Sequence, residues 1–533
     1  MTTITREKEQ KFEAPPGVVL PTLTDLPRVA AQSRPETEKL TAEYYDTIDL
    51  RLLKARITLR RREGGTDEGW HLKLPDGTAR REVRTPLDRS GDPAPDELTR
   101  LVRAHTRDEA LRPVARIETL RRKTTLSDPA GTSLAEVVTD EVAAQTLGAS
   151  ATTVSRWDEI EVELTGGSEK LLRAVGKRLR HAGLRTAGYG AKLERALGAE
   201  PPSRPELSSH STAGEVVLAY LYAQATRLKS LDPAVRRDEP DSVHQMRVAT
   251  RRLRSTLQSF PAILHKPAVK HLRGELKWLG GVLGDAREAE VLSERLLAAP
   301  ATMPTELVMG PVEARVRVHF APREADARTA VTSALDSGRY FALLEALDGL
   351  IAEPPLTAKA ALPARDVLSK SVRRAGGRTR RRIRRALRTP AGRDHDAALH
   401  EVRKAARRAR YAAEAAKPVL GKRARQFAKR MKAVQSILGD QHDAVNARAA
   451  TREIGVHAHL AGENAFSFGL LHEQAHRDAR EYQREARRVW TRGSGWLLGR
   501  VRGRAACVTT AYRMPPATSC TSPVTYEDAS LAR

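Results

Sequence analysis

Val243-His244-Gln245-Met246-Arg247-Val248-Ala249-Thr250-Arg251-Arg252-Leu253-Arg254 is answered about 155 residues later by Leu399-His400-Glu401-Val402-Arg403-Lys404-Ala405-Ala406-Arg407-Arg408-Ala409-Arg410. At about 100° per residue, a helix gathers His244, Arg247, Arg251 and Arg254 into an arc of roughly 80°. Met246, Ala249, Leu253, Leu257 and Phe260 fall on the other side. The second copy lines up His400, Arg403, Arg407 and Arg410, widened by Lys404, above Val402, Ala405, Ala409 and Ala413. The spacing predicts one basic helix used twice, with one face buried and the other a row of cations. The correspondence extends further: Lys270 and Lys277 match Arg425 and Lys432, and Leu283-Gly284-Asp285-Ala286-Arg287-Glu288 matches Leu438-Gly439-Asp440-Gln441-His442-Asp443. A unit of this length is a duplicated half-domain, about 213–300 and 365–450, rather than a solenoid repeat.

Composition sets the bounds around this pair. The chain has 533 residues, more than one hydrophobic core usually supports, so several domains are expected. Aromatic residues make up only 4% of it, while alanine and leucine are abundant, which favours packed helices. The net charge is +26, and residues 371–432 alone hold 22 lysines and arginines against four acids. A solvated face usually mixes signs; an unmixed one points to a polyanionic partner. The two cysteines, Cys507 and Cys520, give no disulfide framework, and a reducing cytoplasm is the expected compartment. No apolar run reaches the length of a membrane span, and the amino terminus does not read as a signal peptide. His244 and His400 lie in no zinc spacing. Beside arginines facing phosphate, an imidazole can donate a hydrogen bond in either protonation state.

The first 200 residues follow a different period. Glu7, Glu9, Lys11 and Glu13 alternate with Lys8, Gln10 and Phe12, as on a strand. Arg56, Thr58, Arg60 and Arg62 alternate with Ile57, Leu59 and Arg61. His71 and Lys73 oppose Trp70, Leu72 and Leu74, and Glu159, Glu161 and Glu163 oppose Ile160, Val162 and Leu164. Carboxylates therefore concentrate in the first and last strands, with cations on those between. Acid clusters suit a hard divalent cation and guanidinium groups suit phosphate oxygens; a barrel would bring both into one lumen. Proline and serine density marks 201–212 as a linker, and 493–533 reads as a disordered tail.

These residues carry two resemblances. Glu7-x-Glu9-x-Lys11, the Tyr44-Tyr45-Asp46-Thr47 stretch, Arg60-x-Arg62, Lys73, Glu136 with Asp140, the Glu159–Leu164 strand and Lys192 resemble the CYTH family, the triphosphate tunnel metalloenzymes, over residues 1–200. The resemblance implies a closed barrel of eight antiparallel strands. It assigns Glu7, Glu9, Glu136, Asp140, Glu159 and Glu161 to Mg2+ or Mn2+, and Lys11, Arg60, Arg62, Lys73, Arg80, Arg121 and Lys192 to the triphosphate, with Glu7, Glu9, Lys11, Glu159 and Glu161 carrying catalysis. Ala191 stands where that family often has serine before the lysine. The run from Val243 and the Leu438–Asp443 motif resemble the CHAD family, conserved-histidine helical domains, over 213–492. That resemblance implies two helical bundles around a groove for inorganic polyphosphate, lined by His244, Arg247, Arg251, Arg254, Lys270, Lys277, His400, Arg403, Lys404, Arg407, Arg410, Arg425 and Lys432.

The fold expected is thus α+β and multidomain: an antiparallel barrel followed by an all-α duplicated domain. The function expected is a metal-dependent triphosphatase with a polyphosphate-binding domain, which such a ligand would bring to cytoplasmic polyphosphate granules. One alternative is a non-catalytic polyphosphate holder. Another is a basic nucleic-acid-binding protein, disfavoured because so few aromatics leave few stacking platforms. The sequence leaves the oligomeric state open.

Overall fold

The computed structural model describes residues 2–87, 93–148, 152–202, 206–208 and 210–492. The 493–533 tail and its two cysteines lie outside the described residues, as does part of the 201–212 linker. Eleven strands form one sheet: β1 (Thr3–Glu7), β2 (Glu9–Ala14), β3 (Ala31–Gln32), β4 (Glu36–Asp46), β5 (Thr58–Glu63), β6 (Gly69–Asp76), β7 (Ala79–Thr85), β8 (Arg112–Ser127), β9 (Ser133–Thr146), β10 (Val154–Leu164) and β11 (Arg185–Thr186). Their order is β1-β7-β6-β5-β4-β8-β9-β10-β2-β11, with β3 beside β8. β1, at one end of this path, is covalently joined to β2, the last strand but one at the other. β1 pairs antiparallel with β7, from Thr3 opposite Arg84 to Glu7 opposite Arg80. Only Lys8 separates it from β2, which pairs with β10 from Glu9 opposite Glu163 to Ala14 opposite Asp158. The first strand thus curls the sheet into a tunnel.

Four helices attach to this sheet: α1 (Arg51–Lys54), α2 (Asp96–Thr106), α3 (Glu169–His181) and α4 (Lys192–Leu197). Ser168 caps α3 by accepting from the Leu171 N–H. Leu172, Val175 and Leu179 of α3 then cover Phe12, Val137, Ile160 and Val162 on the outer face of the sheet. Leu193 and Ala196 of α4 pack on Val114, Val142 and Trp157, which points Lys192, in the first turn, at the lumen. The alternation expected from Arg56 begins at Thr58 instead. Arg56 takes a left-handed φ of 61° behind the short α1, a turn that the strand pattern did not reveal.

The helical half comprises α5 (Ala213–Arg236), α6 (Ser242–Ser259), α7 (Lys270–Ala298), α8 (Val312–Leu335), α9 (Gly338–Ala352), α10 (Ala364–Arg388), α11 (Arg393–Ala415), α12 (Lys417–Leu460, broken at Gly421) and α13 (Phe466–Arg492). A capping box between Thr212 and Glu215 starts α5. The repeated stretches are α6 and α11, packed against each other across a common core. Met246, Leu253 and Leu257 join Val402, Ala406 and Ala409 in it, all at most 1% exposed. Both repeats therefore bury one interior rather than two. The halves are tied by ion pairs: Arg103 to Asp336 at 3.1 Å, Arg107 to Glu345 at 2.5 Å and Arg81 to Glu239 at 2.6 Å. No helix among the described residues is long and apolar enough to cross a membrane.

Candidate functional site

The tunnel lumen collects the predicted barrel residues around a cavity of about 70 Å3, lined among others by Glu9, Lys11, Arg60, Lys73, Arg121 and Glu161. Strand parity accounts for this. Glu159 faces Asp140 and Glu163 faces Glu136 across β9 and β10, and opposed residues share a face. Asp140, Glu159 and Glu161 bring one oxygen each within 4.8 Å of one another. Lys192 Nζ lies among them, 2.9 Å from Asp140, 2.6 Å from Glu159 and 2.9 Å from Glu161. Arg121 forks onto Asp140 at 2.8 and 2.6 Å and reaches Glu161 at 3.3 Å. Lys11 bonds to Glu161 and lies 3.6 Å from Glu9. Glu136 sits on the lumenal face opposite Glu163, outside this cluster.

On the other wall, Lys73 donates to Glu7 at 2.6 Å, and Arg80 donates to the Gly190 carbonyl at 2.9 Å while lying 3.9 Å from Glu9. Arg60 donates to the Tyr44 hydroxyl at 3.2 Å. Arg62 pairs with Asp67, yet the buried Nε atoms of both Arg60 and Arg62 find no acceptor. Burial, then the Arg60 and Arg121 charges, pulls Arg62 down to about 9. Burial acts the same way on Lys11 and Lys192, but their carboxylates reverse it and hold both ammonium groups above the usual lysine range. Several cations of this wall are thus already paired within the lumen, and Arg62 stays depressed although Asp67 pairs with it.

Sequence reading missed several lumenal groups. Glu82, fully buried, accepts from His71 Nδ1 at 2.9 Å and lies 3.6 Å from Lys73. It is an acid within a run of arginines, and only its strand partners reveal it. Glu163 lines the cavity, and burial, then the Glu7 charge, raises it to about 7. Its parity with Glu159 and Glu161 was the available signal. Tyr189 and Trp157 donate to Glu159 Oε2 at 3.0 and 2.7 Å, fixing that carboxylate. Ala191 cannot cap α4, and the Glu194 carboxylate accepts from the Gly190 N–H at 2.6 Å instead.

A metal fits the acid cluster by two observations. The donors are all oxygen, the preference of hard cations such as Mg2+ and Mn2+. Glu159 Oε1 is also buried without an aligned hydrogen bond, although Lys192 approaches it.

The helical half is arranged otherwise. Arg247 and Arg251 of α6 meet Arg403 and Arg407 of α11, so each guanidinium faces others. Burial, then the Arg251 charge, lowers Arg407 to about 10, and Arg247 and Arg403 are also lowered, burial again first. The Nε atoms of Arg247, Arg251 and Arg403 are buried without partners, as is His244 Nδ1. The repeated glycines explain the close fit. A Cβ on Gly284 would lie 3.2 Å from Arg247 Nη2, and one on Gly439 would lie 3.7 Å from Arg403 Nη2. His400 stacks obliquely on His442 at 5.3 Å and is lowered to about 4 by burial, then Lys404 and His442. Burial, then the Arg403 charge, lowers His442 as well.

The two copies diverge at their outer ends. Arg254, Lys270 and Lys277 gather with Lys266 and Arg273 around an open pocket of about 620 Å3. Their counterparts do not gather. Arg410 turns onto Glu414 at 2.7 Å, while Arg425 and Lys432 stand exposed on α12, without ion pairs among the described residues. Lys404 is held by Glu401 at 3.0 Å. The position of Glu414 in the first copy is occupied by Gln258, which cannot draw Arg254 inward in the same way.

Comparison with known proteins agrees with this division. Residues 5–189 match the CYTH domain and residues 219–452 match the CHAD domain. Two uncharacterized proteins of Mycobacterium tuberculosis, from strains CDC 1551 and H37Rv, are each 37% identical over 485 residues, covering 88% of this chain and 92% of theirs. Among solved structures, PptA from Streptomyces chartreusis is similar at 24% identity and TM-score 0.45, over 53% of this chain and 100% of its own. The CHAD domain from the plant Ricinus communis is similar at 24% identity and TM-score 0.44, over 54% and 94%. The chain belongs to the family of proteins in which a CYTH domain is followed by a CHAD domain.

Proposed function

We propose that the barrel hydrolyses a phosphoanhydride of a triphosphate or a polyphosphate end with the help of Mg2+ or Mn2+, and that the helical half holds inorganic polyphosphate. The observation that carries the first part is one lumen with Asp140, Glu159 and Glu161 converging on one side and Arg60, Arg62 and Lys73 on the other. Arg62, Arg60 and Lys73 would take phosphate oxygens, replacing Asp67, Tyr44 and Glu7 as their partners. Arg121, held in its fork by Asp140, would present its remaining donor edge to the same oxygens. Asp140, Glu159 and Glu161 would hold the metal, which when bound supplies neutralisation of charge on the phosphoryl group being displaced. Glu163, poised near neutrality, is the lumenal carboxylate suited to accept a proton from the attacking water. The second part rests on the four mutually facing arginines of α6 and α11, three of which, Arg247, Arg251 and Arg403, have buried Nε donors without a hydrogen-bond acceptor.

The Lys192 ammonium inside the acid cluster favours a second reading, in which the lumen only holds phosphate. Phosphate release separates the two. The full chain is given inorganic triphosphate, thiamine triphosphate, a nucleoside triphosphate and long polyphosphate, each with Mg2+, with Mn2+ and with excess chelator. Metal-dependent release that Glu161→Gln lowers by about 100-fold or more supports hydrolysis. No release from any substrate favours the holder.

A further inference from the structure

Far from the basic groove, α8 and α12 meet over a small apolar core in which Val316 and Phe320 pack with Ala450, Ile454 and Ala458. α8 follows the first repeated stretch and packs on α7, as α13 packs on α12. Ile454 and Ala458 fix the rotation of α12 there, and their neighbours Glu453 and His457, one turn apart, lie along the edge of that core beside His319 of α8. One ligand atom from each of His319, Glu453 and His457 lies within 4.8 Å of the other two. The Arg323 guanidinium bonds to His319 Nε2 and to Glu453 Oε1, the latter at 2.9 Å. An imidazole nitrogen and a carboxylate thus already converge on one cation.

From this juxtaposition we infer that His319, Glu453 and His457 form a second metal site, for a borderline divalent ion of the Zn2+ class, that cross-links α8 to α12. Two imidazoles and one carboxylate are a donor set for zinc, and the fourth tetrahedral position would fall to water. The all-oxygen cluster of the barrel suits a harder ion, so one chain would sort two metals by donor chemistry. Arg323 does not block the site. Its side chain is 47% exposed and rests on an exposed helix surface, free to swing to solvent when a divalent charge replaces its own.

The test uses the full chain, stripped of metal, titrated with Zn2+ alone by calorimetry and followed in parallel by thermal unfolding. His319→Ala and His457→Ala should each weaken Zn2+ binding by at least about tenfold, since each removes a direct ligand. Arg323→Ala, which empties the space of its internal cation, should bind Zn2+ as tightly as the wild type or more tightly. Zn2+ should raise the Tm of the wild type and of Arg323→Ala and leave that of His457→Ala unmoved, with the metal-free Tm of each variant confirming its fold. Co2+ gives an independent readout through its visible absorption, which imidazole ligation intensifies and the two histidine variants should lose. Unchanged Zn2+ titrations in both histidine variants overturn the site. Loss of binding in Arg323→Ala also overturns it, by showing that the three residues serve only an arginine-centred ion pair.

Discussion

The tunnel and the groove use the same residue type in opposite ways. In the tunnel, Arg60 and Arg121 are held above the usual arginine range by Tyr44 and by Asp140, against the burial that opposes them. In the groove, Arg247, Arg403 and Arg407 are held below it, because burial and neighbouring arginines act together. The tunnel is therefore nearly self-neutral, and on the proposed reading its specificity would come from which internal pair a ligand can replace. The groove stores like-charge repulsion that a polyanion would relieve, so the polyphosphate affinity proposed for it should depend steeply on salt. Arg62, lowered to about 9 by burial and by Arg60 and Arg121, behaves like the groove arginines, and on the proposed reading it is where a phosphate would relieve most repulsion.

If the tunnel is self-neutral, removing one internal cation should be costly. Lys192→Met leaves Asp140, Glu159 and Glu161 buried without their shared ammonium. Breaking a buried pair from one side costs about 3–5 kcal/mol. The variant should show a large fall in Tm in chelator and recover much of it in Mg2+; equal loss with and without metal would mean that these acids do not hold one.

A smaller effect concerns Glu163, raised to about 7 by burial and by Glu7. Its folded-state value exceeds that of the unfolded chain, so the native state holds this proton more tightly. The stability it contributes is present below about pH 4.5 and is lost as pH rises through about 7. Metal-free Glu163→Gln should therefore be more stable than the wild type at pH 8, by about 2 kcal/mol, with the difference closing toward pH 5. Denaturant unfolding at the two pH values checks this, and a pH-independent difference would refute the assignment.

The smallest effect tests the asymmetry between the two copies. Glu414→Gln gives the second copy the residue of the first and should release Arg410 toward solvent. Polyphosphate affinity should rise a few-fold, on the order of 1 kcal/mol for one added charge-assisted contact. Fluorescence anisotropy with labelled polyphosphate measures it, and unchanged affinity would confine the ligand to the Arg247–Arg407 cluster.

How far the sequence revealed this contrast follows from periodicity. Residues two apart on a strand and three or four apart on a helix share a face, so Glu159 with Glu161, and Arg247 with Arg251, were legible as groups. The buried positions Met246, Leu253, Val402 and Ala409 followed from the same pattern. What depended on pairing between distant strands was not legible. Glu82 finds His71 and Lys73 only through the register of β6 with β7, and the closure of the tunnel depends on the break at Lys8 that lets one strand serve two neighbours. Spacing alone also gave Arg254 and Arg410 the same role, whereas a single change, Gln258 against Glu414, separates them.

On the proposed reading, groove geometry rather than basic charge alone selects the ligand. This is tested by binding of long polyphosphate and of duplex DNA of equal total charge to the full chain at one ionic strength. The variants compared are Arg251→Gln with Arg407→Gln, from the facing cluster, and Arg381→Gln with Arg385→Gln, from the exposed surface of α10. Polyphosphate should bind more tightly than DNA; the first pair should weaken polyphosphate binding about 100-fold as two charge-assisted contacts are lost, and the second should change it only a few-fold. Equal losses from both pairs, or tighter binding of DNA, would contradict this reading.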